Sequence, residues 1–131
     1  MTMVFRGDPD NVAWMADVQM DEDDQPVIAF SVQKDGRDLP PRQGGLDHRY
    51  HLARFVGGAW VQHEIAFAGE RLYSWEDDYT GLVAIDPQDA NHLVISTNAD
   101  PVTDAALVST ADSLRHYELF EGKSEDGGAS F

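Results

Sequence analysis

Ser124-Glu125-Asp126-Gly127-Gly128-Ala129-Ser130-Phe131, the last eight residues, decide how the rest of the chain is read. The pattern is S-x-D-x-G-x-[ST]-[FW]. It has the composition of a self-sufficient turn. The Asp126 carboxylate accepts from nearby backbone N–H groups, Gly127 and Gly128 take positive φ without a Cβ clash, and the Ser124 and Ser130 hydroxyls tie the two ends together. Phe131 is then expected to plug into the core beneath. A strand-like stretch over 115–120 leads into the turn, which separates it from a flexible Gly/Ser tail.

Working outward, these residues resemble the Asp-box of the sialidase-like BNR/Asp-box β-propellers, in which this turn joins the third and fourth strands of a blade. The resemblance extends upstream. Residues 80–97 are similar to the strand, D-P-x-x-x-N turn (Asp86 to Asn91) and second strand that open a blade, and 15–31 are similar to the opening of the blade before it. The resemblance implies an all-β fold, a partial β-propeller of two four-stranded antiparallel blades. It also implies a carbohydrate-active setting, because many such propellers are sialidases, other glycosidases or polysaccharide lyases acting on acidic glycans. It implies no particular reaction.

At 131 residues the chain is one domain's worth, able to bury roughly two-thirds of its unfolded surface if it closes on itself. A complete propeller needs more, about four to eight blades. The formal net charge of -15 is the wrong electrostatic footprint for nucleic acid and for an anionic membrane surface, so neither is expected as a partner. It also argues mildly against an anionic polymer as ligand unless the nine Lys and Arg converge on one face. Cysteine is absent, which removes disulfides, thiolate nucleophiles and Cys-based metal sites. No cofactor or metal is expected. The N-terminal residues lack the basic and apolar regions of a signal peptide, and no run approaches the ~18 apolar residues of a membrane span. A longer, secreted parent protein stays open.

In chain order, 2–6 alternates and reads as a short strand before the turn-forming Gly7-Asp8-Pro9-Asp10. The acidic run Asp21-Glu22-Asp23-Asp24 divides two strands, 15–20 and 27–33, and lacks the spacing of a calcium loop. Residues 34–47, with two prolines and three glycines, read as an irregular loop. Gly57-Gly58 between alternating runs at 49–56 and 59–66 is the clearest hairpin signal. The expected unit is therefore one domain over 1–131. Blade one covers about 12–66. Blade two covers about 80–131, with strands at 82–85, 92–97 and 115–120 and a fourth either starting at Ser130 or supplied by 1–6. No helix is expected, the stretch 98–113 included. The expected core includes Trp14, Phe30, Phe55, Trp60, Leu82, Ile85, Leu93, Ile95 and Phe120.

The densest polar constellation is Asp47-His48-Arg49-Tyr50-His51, at the mouth of blade one's third strand. Alternation puts His48 and Tyr50 on one face and Arg49 and His51 on the other, so all five cannot converge. A His, a Tyr and an Arg are nonetheless what β-elimination at a uronic acid requires: a base, a proton donor to the leaving oxygen, and a cation for the enolate-like charge. The candidate catalytic residues are thus His48, Arg49, Tyr50 and His51, with Tyr79 of the inter-blade loop as a further donor. A sialidase would need three arginines on one carboxylate, and no spacing identifies Arg49, Arg54 and Arg71 as such a trio. His48 and His51 are too close to be two zinc ligands on one strand face.

Three function classes follow: an enzyme on acidic oligosaccharide or polysaccharide; a non-catalytic glycan- or protein-binding module with Trp75, Tyr79 and Tyr50 as aromatic platforms; and an inactive fragment of a larger sialidase-like enzyme. Self-association is expected, because a two-blade unit exposes flat faces and an unpaired edge at 115–120, whereas a monomer without turnover would favour the fragment. A head-to-tail ring of three subunits, its blades closed by strand 2–6, is the expected homo-oligomer.

Overall fold

The computed structural model describes residues 1–36 and 39–131; Arg37 and Asp38, which fall in the expected loop over 34–47, lie outside the described residues. The described chain is all-β. Strands β1 (Val12–Met20), β2 (Pro26–Gln33), β3 (His48–Val56) and β4 (Ala59–Gly69) form a four-stranded antiparallel sheet in chain order. Strands β5 (Val83–Asp86), β6 (Asp89–Thr97) and β7 (Glu118–Lys123) form a second, three-stranded one, and the two sheets do not close into a ring.

Turn chemistry explains the hairpins. Asp21 accepts from the backbone N–H groups of Asp23 and Gln25 at 3.0 and 2.9 Å, so the acidic run is a tight turn organised by its first carboxylate. Gly57 and Gly58 sit at φ 60 and 87°, the pair of positive values that a two-residue turn needs to match the twist of β3 and β4.

Alternation gives the four-stranded sheet two faces. One carries Val27, Ala29, Tyr50 and Leu52 against Val83, Ile85, Leu93 and Ile95 of the second sheet, all of them buried. Each such aliphatic side chain contributes about 1.5–3 kcal/mol relative to exposure, which makes this inter-sheet layer the main source of stability. A bulge at Met15/Asp17 turns Asp17 toward β5, where its carboxylate accepts the Ile85 N–H at 2.8 Å and holds β5 beside β1.

The other face of the four-stranded sheet carries Ile28, Phe30, Val32, Ala53 and Trp60, and Val4 and Phe5 pack on it. Residues 2–6 are therefore not a strand. They lie across a sheet face and pair with no described strand, Val4 and Phe5 packing on the Phe30, Val32 and Ala53 cluster. The second sheet accordingly has three strands, and no strand begins at Ser130.

Other expectations shift as well. The last strand runs Glu118–Lys123, three residues beyond the expected start. Residues 98–116 contain no helix and are held by the bridges Ala99↔Ala106 and Val108↔Arg115. Phe30, Ile85, Leu93 and Ile95 are core, whereas Leu82 is 56% exposed because it lies on the outer face of the second sheet. Trp14 is half exposed. Paired with Ser31 near the start of β1, it meets the Tyr79 ring edge-on.

Candidate functional site

The C-terminal turn folds as its composition dictates. Ser130 donates to Asp126 through both its backbone N–H and its hydroxyl, at 2.8 and 2.6 Å, and the Ser124 hydroxyl donates to Asp126 at 2.8 Å while accepting the Gly128 N–H at 2.8 Å. These donors hold the Asp126 carboxyl down at about 2. The turn is anchored to the 86–91 turn, since the Asn91 carbonyl accepts the Ser124 N–H at 2.9 Å and the Asn91 side chain accepts from Arg54 at 2.9 Å. Phe131 does not reach the core. It lies against Gly122, 41% exposed, at the rim of an apolar cavity of about 130 Å³ between the sheets.

The polar constellation at the mouth of β3 does not assemble. His48 and Tyr50 point between the sheets and have no exposed surface. Burial pushes the Tyr50 hydroxyl well above its usual range, and it donates to the Ser96 carbonyl at 2.7 Å as a strut between sheets. Burial likewise holds His48 below the ordinary histidine range, against the pull of Asp35 and of the Gly69 and Asp77 backbone.

On the opposite face, Arg49 is bound to Asp47 at 2.7 Å and Asp104 at 3.1 Å and lies over the Phe67 ring. His51 stacks on Phe30 and meets Phe5. Burial lowers its pKa to about 4, so at neutral pH its 4.0 Å approach to Glu64 is no ion pair. Tyr79 is in a third place, stacked on Tyr73. A base, a proton donor and a cation are thus never brought to one sugar, and the elimination chemistry expected of His48, Arg49, Tyr50, His51 and Tyr79 has no shared site in this chain. Arg54 and Arg71 are also taken up, the first by Asn91 and the second by Asp77 at 3.3 Å, at separate loops.

What the fold does bring together is an aromatic ladder. In the loop after β4, Trp75 stacks on Tyr73 (ring centroids 5.4 Å, planes 16° apart), Tyr73 stacks on Tyr79 (5.9 Å, 8°), and Tyr79 takes the edge of Trp14 at 6.0 Å. Leu72 N–H donates to the Tyr79 carbonyl at 2.8 Å and Glu76 N–H to the Tyr73 carbonyl at 3.2 Å, folding the loop back on itself. Asp77 then fastens it to the 34–47 loop by accepting the Arg42 N–H at 2.6 Å, and Arg71 bonds the Gly44 carbonyl. The ladder is rigid at its base and open at its end, where Trp75 is 62% exposed. Glu76 beside it is exposed, and Asp77 and Asp78 are half-buried. The sequence reading included Trp75 and Tyr79 and missed Tyr73, whose signal was the recurrence of aromatics at 73, 75 and 79 within one loop.

No family model, curated protein or solved structure matches the chain. The site has therefore to be read from its own geometry. An exposed aromatic surface bordered by carboxylates offers apolar stacking and hydrogen-bond acceptors.

Proposed function

We propose that the chain is a non-catalytic binding module of the Asp-box propeller kind, two blades with the second short of its outer strand, and that it binds glycans on the Trp75–Tyr73–Tyr79 ladder. The observation that carries this reading is the ladder itself. Three parallel rings held in an exposed loop, with Trp75 presenting a free face, cost little entropy to organise on binding. The C–H face of a pyranose fits such a ring, and the Glu76 and Asp78 carboxylates are placed to accept sugar hydroxyls. A ring of carboxylates on a chain of net charge -15 repels uronates. The favoured ligand is a neutral glycan, and the acidic oligosaccharide of the family resemblance becomes the control.

Tryptophan fluorescence and calorimetry with neutral hexose oligosaccharides and with oligouronates test this directly. A change in Trp75 emission with neutral sugars, lost by tenfold or more in affinity in Trp75→Ala with an unchanged thermal midpoint, is expected. No response to neutral sugars, or equal binding of uronates, contradicts it.

A further inference from the structure

The two sheets stack through one face each, and their outer faces are in different states. The outer face of the three-stranded sheet is bare. At its loop end Leu82, Ala84, Val94 and Leu119 form an apolar patch with Leu72 and Tyr117, and Leu119 is 76% exposed. The outer face of the four-stranded sheet has an apolar centre of Ile28, Phe30, Val32, Ala53 and Trp60, bordered by His51 and Arg49, but Val4 and Phe5 cover it. That cover consists of the side chains of Val4 and Phe5. It makes no strand pairs, and Trp60 Nε1 donating to the Thr2 hydroxyl at 3.2 Å ties its outermost part to the sheet.

We infer that residues 1–7 are a removable cap, and that the face beneath them docks the bare outer face of the three-stranded sheet of a second copy of this chain. The argument is continuity with the interface already inside the molecule. There, a face of the four-stranded sheet (Val27, Ala29, Tyr50, Leu52) receives a face of the three-stranded one (Val83, Ile85, Leu93, Ile95). Repeating that stack outward puts the next three-stranded sheet's outer face on Phe30, Val32 and Trp60, which is where Phe5 sits. While the cap is down the head-to-tail contact is blocked. The patch is apolar toward Leu72 and Tyr117, while Glu121 stands opposite Val94 at its border and meets His92, which also meets Asp86; repulsion between acidic copies at that border is screened by salt without loss of the apolar contact.

The experiment is sedimentation velocity on the full chain and on the chain lacking residues 1–7, across a concentration series at low and high salt. The full chain is expected to stay monomeric. The shortened chain is expected to assemble to at least twice the monomer mass, more so at high salt, and to return to monomer with Leu119→Glu or with an added peptide of residues 1–10. Should the shortened chain fail to fold, Phe5→Asp in the full chain lifts the cap without removing it and is expected to assemble in the same way. A folded, monomeric shortened chain or Phe5→Asp variant overturns the inference. So does assembly that neither Leu119→Glu nor the peptide reverses.

Discussion

The two sheets have much the same strand chemistry and differ in how they are finished. In the four-stranded sheet Val27–Gln33 of β2 and His48–Arg54 of β3 are matched on both sides, and both faces are covered, one by the second sheet and one by Val4 and Phe5. In the three-stranded sheet β7 pairs only with β6, and the face carrying Val94 and Leu119 is open. The difference shows that alternation makes a strand but does not say what covers it. Leu52 and Leu119 are both leucines on strands of apolar–polar alternation, one 1% and the other 76% exposed.

The largest effect expected from that difference is on those two leucines. Leu52→Ala leaves a cavity in the inter-sheet layer and should cost about 3 kcal/mol in chemical denaturation, whereas Leu119→Ala should lie within about 0.5 kcal/mol of the parent. Equal costs would mean that the outer face of the second sheet is buried in solution. Next comes Gly128, where the C-terminal turn meets the four-stranded sheet. It sits at φ 97°, and a Cβ there would lie 2.7 Å from Leu52 Cδ2. Gly128→Ala should therefore cost about 1–3 kcal/mol, and a neutral result would show the turn to be detached from β3.

The smallest effect concerns the cap. His51 is neutral beneath Phe5, with its pKa lowered from 6.5 to about 4. As pH falls from about 6.5 to about 4, the unfolded chain takes up a proton that the folded chain refuses, so stability drops across that window. His51→Phe, which keeps the stack on Phe30 and cannot be protonated, should flatten the loss of thermal midpoint by roughly 5 °C. His48, buried and shifted in the same direction, leaves a residual slope.

Local chemistry made much of the fold legible. The glycine pair at 57–58, the acidic turn at 21 and the Asp126 turn all use hydrogen bonds within four residues of themselves, so their letters suffice. The start of β7 was harder to read because residues 115–117 read as part of the strand but are held elsewhere. Tyr117 OH donates to the Glu70 carbonyl at 2.5 Å and Arg115 bonds the Glu70 carboxylate. Residues 2–6 misled for a related reason, since an alternating pentapeptide looks the same lying on a face as pairing along an edge.

The polar run at 47–51 had the right side chains for chemistry, and alternation already separated His48 and Tyr50 from Arg49 and His51. What it did not reveal is that the His48 face turns into the inter-sheet layer. The aromatic ladder was only half legible, because its fastening spans long separations such as Arg42 to Asp77.

Amide hydrogen exchange on the dilute full chain tests most directly the claim that one sheet is finished and the other is not. The backbone N–H groups of β3 over His48–Arg54, paired on both sides, should exchange only through global opening. Those of β7 should exchange faster by orders of magnitude, with its unpaired side fastest. Protection of Glu118–Lys123 equal to that of His48–Val56 would contradict the account.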